Sequence, residues 1–226
     1  MKLVLVRHGQ SESNLKNLFT GWADPRLTEC GIKQARTAGQ MLKQLDLDIK
    51  SVHTSLLTRT NETTFYLLDE MEQLYLPVHQ SWRLNGRHYG ALEGQNKDAM
   101  REKYGEDLVQ AWRRSFDVRP PVSEMPIIDR RYRLLDDHIL PQTESLKDTR
   151  ARLIPYWTDH IAPEIKSGKN VLVVSHGNLL RAFTMFLEDI APDKINQTEI
   201  ATAEPIVYEI SQDLQITDKT TYHREK

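Results

Sequence analysis

Two short runs of apolar residues stand out from an otherwise mixed chain. Lys2 to Val6 reads Lys-Leu-Val-Leu-Val and ends in Arg7-His8-Gly9. Val171 to Val174 reads Val-Leu-Val-Val and ends in Ser175-His176-Gly177. Neither run alternates with polar residues, which suits central parallel strands covered on both faces. Open α/β sheets bind ligands beyond the carboxyl ends of their strands, so His8 and His176 are expected at one rim.

Helical spacing fills the intervals. Thr28 reads as an N-cap followed by Ile32, Ala35, Ala38, Leu42 and Leu45. Residues 49–54 read as a strand, and 58–71 as a helix carrying Phe65, Leu68 and Met71. Residues 95–104 and 107–116 read as two further helices, and Pro120, Pro121 and Pro126 mark a loop. Thr143 reads as the cap of a long helix through Ile154 and Ile161, with Pro155 as a kink. Residues 179–187 read as a helix, and 205–211 and 214–217 as strands able to form a hairpin. Strands alternating with helices predict an α/β fold, here a three-layer α/β/α arrangement with a mostly parallel central sheet. Residues from about 84 to 140 carry many charges and few strand signals. They are expected to form a helical insertion over the active-site rim, within a single domain spanning 1–226.

Composition narrows the partners. The chain has 226 residues, 39% hydrophobic and 27% charged, with a mean hydropathy of −0.57. These values disfavour disordered, collagen-like and coiled-coil chains. Thirty Lys and Arg against 32 Asp and Glu leave a net charge of −2. No global basic excess draws it to nucleic acid or an anionic membrane, so any attraction for an anion must be local. The lone Cys30 cannot form an internal disulfide, which fits a reducing, cytoplasmic setting. It reads as a small residue at a helix start. The apolar N-terminal run is too short for a signal segment, and no window reaches the length of a membrane span. No His-Glu-x-x-His or Cys-x-x-Cys spacing occurs, so no metal is expected. His53, His79, His138, His160 and His223 read as surface or packing residues.

The strand ends carry the chemistry. A neutral histidine beside an arginine can attack a phosphoryl group while the guanidinium fork neutralises its oxygens. A three-residue match also fits a rim histidine that merely caps a strand. The pattern extends, however. Ser11 and Asn14 follow the first histidine, Thr20-Gly21-Trp22 lies on a loop, and Thr54-Ser55 is followed by Arg59. Gly177-Asn178 opens a helix whose N-terminus favours anions.

Arg7-His8-Gly9, the Ser55 and Arg59 pair, and His176-Gly177-Asn178 resemble the histidine phosphatase superfamily. Phe19-Thr20-Gly21-Trp22, residues 84–92 (Leu-Asn-Gly-Arg-His-Tyr-Gly-Ala-Leu), Asn96-Lys97 and Trp112-Arg113-Arg114-Ser115-Phe116 resemble its cofactor-dependent phosphoglycerate mutases. So do residues 141–146, 154–157 and 205–209, and the resemblance runs in order along nearly the whole chain. It implies a glycolytic isomerase, also of gluconeogenesis, that interconverts 2- and 3-phosphoglycerate. His8 would be the nucleophile, primed to a phosphohistidine by 2,3-bisphosphoglycerate, and His176 would stabilise the moving phosphoryl group. Arg7, Arg59 and Asn14 would hold that group, with Ser11, Thr20, Gly21, Gly177 and Asn178 lining the pocket. Arg87, Tyr89, Lys97, Arg113 and Arg114 would hold the carboxylate and distal phosphate, with His88 beside them. Relatives of this kind commonly form homodimers or tetramers.

Two positions depart from the pattern. The family has a glutamate before its Arg-His-Tyr-Gly stretch, which moves the proton of the substrate hydroxyl; this chain has Gly86. A positioned acid/base contributes about 10²–10⁴ in rate. Three readings stay open: a lost carboxylate and slowed turnover, a substitute such as Glu93 or Glu12, or a relaxed turn with water carrying the proton. Ala203 stands where the family usually has glycine. The alternatives to a mutase are a phosphomonoester phosphatase with the same histidine chemistry and a silent phosphometabolite-binding protein.

Overall fold

In the computed structural model, which describes residues 1–124 and 129–224, the side chains of β1 (Lys2–Arg7) serve two apolar layers. Leu3 and Leu5 point into one, Val4 and Val6 into the other. β4 (Asn170–Ser175) does the same with Val171 and Val173 against Leu172 and Val174. Period-two alternation between two cores is why neither run alternates with polar residues.

The first layer holds α6 (Leu146–Tyr156), α7 (Ala162–Lys166) and α8 (Gly177–Leu187), through Leu153, Ile165, Leu179 and Phe183. The second holds α2 (Glu29–Gln44) and α3 (Thr58–Glu70), through Ala38, Leu42, Leu67 and Leu68. A fully buried Leu, Val or Phe contributes about 1.5–3 kcal/mol, so these layers fix the sheet from both sides. The remaining strands are β2 (Ile49–Thr54), β3 (Val78–Gln80), β5 (Ile206–Ile210) and β6 (Ile216–Thr221). The sheet order is β3-β2-β4-β1-β5-β6. β3, β2, β4 and β1 run parallel, while β5 is antiparallel to both β1 and β6. The expected three-layer, mostly parallel α/β fold is present. No helix among the described residues is long and apolar enough to cross a membrane.

Several local expectations need correction. The long helix is capped by Ser145, whose side chain accepts the Asp148 amide while Asp148 accepts the Ser145 amide, and not by Thr143. Thr143 donates instead to the Pro120 carbonyl. Pro155 lies inside α6 without an amide hydrogen to give, and the helix widens to a π turn over Trp157–Ile161 before α7. Phe65 faces solvent on α3, where Leu67 supplies the core contact. Leu214 sits in the turn between β5 and β6 with φ +63°, so the second hairpin strand starts two residues later. β3 has only three residues, all exposed, and left no apolar signal. The segment 84–140 holds α4 (Lys97–Tyr104), α5 (Glu106–Arg114) and short 3₁₀ turns at Gly90–Leu92 and Asp137–Ile139. The rest of its described part is irregular, because glycines and the paired prolines interrupt helical hydrogen bonding. Pro126 lies outside the described residues.

Candidate active site

The parallel register of β1 and β4 brings the two histidines together. Arg7 is the register partner of Ser175, and the His8 amide donates to the Ser175 carbonyl at 2.9 Å. The two imidazole rings meet edge to face with centroids 5.1 Å apart, both buried. Gly9 lets the loop after β1 touch the start of α2: a Cβ there would lie 2.3 Å from the Gly31 carbonyl oxygen.

Hydrogen bonds fix the chemistry of each ring. His8 Nδ1 lies 2.7 Å from the Gly9 carbonyl oxygen. A carbonyl only accepts, so Nδ1 carries the hydrogen. Burial, together with Arg59 and Arg7, holds the His8 pKa well below its usual value, so the ring is neutral. The lone pair is left on Nε2, the state a nucleophile needs. His176 Nε2 lies 2.9 Å from Ser55 Oγ. Ser55 Oγ accepts the Leu57 amide and lies 2.6 Å from Thr60 Oγ1, which donates to the Leu57 carbonyl. The run of donors is consistent only if His176 Nε2 donates to Ser55. Burial and Arg59 likewise hold His176 neutral.

A cavity of about 190 Å³ opens beside these rings. Arg59 is fastened beneath it, donating to Ala23 O at 2.8 Å and Gly21 O at 2.9 Å. Arg7 donates to Ile200 O at 2.7 Å. Arg87 donates to Arg113 O and to the Tyr89 hydroxyl, both at 2.9 Å. Each of these guanidinium groups keeps buried nitrogens with no protein partner: Arg7 Nε, Arg59 Nε, and Arg87 Nε and Nη1; His176 Nδ1 is also unpartnered. Unmet buried donors cost roughly 1–3 kcal/mol each, so the cavity is primed for an acceptor-rich anion. Lys97 and Arg113 reach it from α4 and α5, and burial lowers both of their pKa values. Burial alone would raise the Tyr89 phenol, but Arg87 and the bonds from Arg87 and Asn178 win and bring it to about 8.

Fourteen of the sixteen residues singled out from sequence line this cavity: Arg7, His8, Asn14, Thr20, Gly21, Arg59, Arg87, Tyr89, Lys97, Arg113, Arg114, His176, Gly177 and Asn178. Ser11 and His88 do not. Ser11 is fully buried as the N-cap of the short helix α1 (Glu12–Leu15), where it orients Asn14. His88 accepts the Gly90 amide on Nδ1 and packs on Trp22, one layer behind. Sequence reasoning missed Arg181 and Glu199. Arg181 sits one helical turn after Gly177, a spacing that could have found it. Glu199 pairs with Arg114 at 2.6 Å from a loop that carries no such signal.

Gly86 lines the cavity against His176, where a Cβ would lie 3.2 Å from its Cγ and 3.4 Å from its Nδ1. Neither suggested substitute is at hand. Glu93 Oε1 accepts the Trp22 and Tyr89 amides and ties two loops together. Glu12 is exposed on α1. Among the described residues no group of His, Cys, Asp and Glu is arranged to hold a metal ion.

A neutral histidine with its Nε2 lone pair free, a second histidine and a ring of arginines at the strand ends of an α/β sheet make a site suited to phosphoryl groups. The chain belongs to the histidine phosphatase superfamily, branch 1, whose family model matches residues 3–219. It is 51% identical over 223 residues to a 2,3-bisphosphoglycerate-dependent phosphoglycerate mutase of Staphylococcus aureus strain MRSA252, covering 96% of this chain and 98% of that one. The protein of the same name from strain Newman is 50% identical over the same length. Among solved structures, a mycobacterial glucosyl-3-phosphoglycerate phosphatase superposes with a TM-score of 0.76 at 23% identity, covering 98% of both chains. A protein titled mycobacterial hydrolase 1 gives 0.77 at 22% identity, covering 100% of this chain and 99% of that one. At that identity these two share the fold.

Proposed function

We propose that this chain acts as a 2,3-bisphosphoglycerate-dependent phosphoglycerate mutase, an isomerase that interconverts 2- and 3-phosphoglycerate through a phosphohistidine at His8. The observation that carries the reading is the set of buried, unpartnered nitrogens on Arg7, Arg59 and Arg87 around one cavity. Half-identical relatives over nearly the full length bear the same activity in their names.

The residues fit a doubly phosphorylated glycerate. Arg7, Arg59 and Asn14 would receive the phosphoryl group beside His8, and Arg87, Lys97 and Arg113 the rest of the anion. Bound 2,3-bisphosphoglycerate would supply the phosphoryl group that primes His8. His8 Nε2 then serves as attacking and leaving nitrogen, while its Nδ1–H stays with the Gly9 carbonyl and keeps the ring oriented. The amide end of α8 at Gly177 adds a favourable dipole for the same anion. A cytoplasmic location and homodimeric or tetrameric assembly belong to the same reading, and light scattering tests the latter.

The test is direct. Incubation with 2,3-bisphosphoglycerate should place one acid-labile phosphate on His8, and 3-phosphoglycerate should then convert to its 2-isomer. A His8→Ala variant that isomerises as fast as the unaltered protein would refute the reading.

A further inference from the structure

We infer that His176, through its Nδ1, carries the proton to and from the substrate oxygen in this chain, the task a carboxylate at position 86 would otherwise perform. The inference rests on the phosphoryl-transfer reading above.

Three observations converge on that atom. The backbone at position 86 is pinned: the Gly86 carbonyl accepts Trp22 Nε1 at 2.6 Å and Arg152 Nη2 at 2.9 Å. Its absent side chain would point at His176, with Cβ 3.4 Å from Nδ1. The imidazole is therefore the proton-bearing group nearest to where the carboxylate would begin. Next, the chain of bonds through Ser55 and Thr60 commits the Nε2 hydrogen, which leaves an available lone pair on Nδ1. That nitrogen is buried and has no protein partner. Finally, the nearby carboxylates are occupied: Glu93 is tied to two backbone amides and Glu199 to Arg114. The Tyr89 oxygen accepts from Arg87 and Asn178 and keeps its own hydrogen, so Tyr89 is the rival that Tyr89→Phe must separate.

The charged and titratable groups around His176 are Arg59 on α3, His8 and Arg7 at the end of β1, and Arg152 on α6. All of them disfavour a proton on the ring. An incoming phosphate dianion offsets those charges, so that Nδ1 takes up one proton from bulk solvent together with the bound anion. His8 Nε2 then attacks phosphorus, the bond from phosphorus to the ester oxygen breaks, and its electron pair is met by the Nδ1 proton. In the return step a substrate hydroxyl attacks phosphorus, the N–P bond breaks back to neutral His8, and the hydroxyl proton returns to Nδ1. No further reactant is needed.

Leaving groups separate this role from simple holding of the phosphoryl group. An alkyl oxygen needs a proton to depart, whereas p-nitrophenolate does not. The rate of acid-labile phosphate appearing on His8 is measured by rapid quench with 2,3-bisphosphoglycerate and with p-nitrophenyl phosphate. His176→Asn should slow the first at least about tenfold more than the second. The excess loss should disappear in the Gly86→Glu background, where a carboxylate takes over the proton. Ser55→Ala, which frees the Nε2 hydrogen, should show the same selectivity in weaker form, and it guards against misfolding of the Asn variant. Equal losses with both donors would overturn the inference, as would selectivity appearing in Tyr89→Phe instead. An unaltered protein that gains no phosphate from either donor would overturn the phosphoryl-transfer reading together with it.

Discussion

Arg152 joins α6 to the cavity floor: its guanidinium donates to the Gly86 carbonyl at 2.9 Å while gripping Glu144 with bonds of 2.6 and 3.0 Å. It also donates to the carbonyls of Arg83 at 2.6 Å and Asn85 at 2.8 Å. Glu144 in turn accepts the His88 amide at 2.8 Å. One buried ion pair thus holds residues 83–88 in place beneath both histidines. Removing one member leaves an uncompensated buried charge, which costs about 3–5 kcal/mol. Arg152→Met should therefore lower the melting temperature by roughly 10 °C or more. Arg152→Met combined with Glu144→Leu should recover part of that loss, as calorimetry would show.

Gly86→Glu should raise mutase turnover, but by less than about a hundredfold. A sole missing acid/base would return about 10²–10⁴, and His176 already carries part of the traffic. The new Cβ lies 3.2 Å from His176 Cγ, so the ring must yield by a few tenths of an ångström. Gly86→Ala imposes the same crowding without a carboxylate and should show no gain. Steady-state rates with 3-phosphoglycerate and 2,3-bisphosphoglycerate decide between them.

These residues differ in how far the sequence exposed them. His8 and His176 were legible because each ends an apolar run. Their meeting at one rim was expected too; what the sequence left open was the edge-to-face contact, which depends on the β1–β4 register, a non-local pairing across some 170 residues. Thr143 was read as the cap, but the Asp148 side chain returning to the Ser145 amide places the helix start two residues later. Arg181 was missed because an isolated arginine on a helix reads as solvated. Ser11 was expected at the ligand because it follows His8 closely, yet it is fully buried outside the cavity as the cap of α1, its oxygen accepting the Asn14 amide. The carboxylates Glu93 and Glu12 show the same limit, since nearness in sequence does not establish reach.

Acid should unfold this protein earlier than its composition suggests. Burial lowers the pKa of His8, His176 and His88, and that of His53 to about 4 despite its bond to Glu164. His79 and His160 face His53 and oppose its charge further. The unfolded chain takes up these protons near the ordinary histidine value of about 6.5. Below that pH the unfolded state binds more protons than the folded one, so stability falls as pH drops. It is fully present above about 6.5 and, for His53, declines down to about 4. Urea midpoints should fall from pH 7.5 to pH 5. His53→Gln should flatten part of that slope, whereas a slope unchanged in the variant would assign it to other groups.

Arg181 should govern substrate affinity without touching the transferred group. It is buried on α8 and donates to the carbonyls of Arg114 at 2.9 Å, Ile195 at 2.8 Å and Thr198 at 3.0 Å, and to Asn178 Oδ1 at 3.1 Å. It thereby fixes the end of α5, where Arg113 and Arg114 enter the cavity, against the helix that carries Asn178. A lysine has no planar fork and cannot reach four carbonyl and amide oxygens at once. Arg181→Lys should raise KM for 3-phosphoglycerate about tenfold or more, because Arg113, Arg114 and Asn178 lose their common anchor. Phosphorylation of His8 by p-nitrophenyl phosphate, which lacks the carboxylate and second phosphate, should change by less than about threefold. Equal losses on both substrates would instead mean that Arg181 supports the nucleophile, placing it with Arg7 and Arg59 rather than with the outer ring of cations.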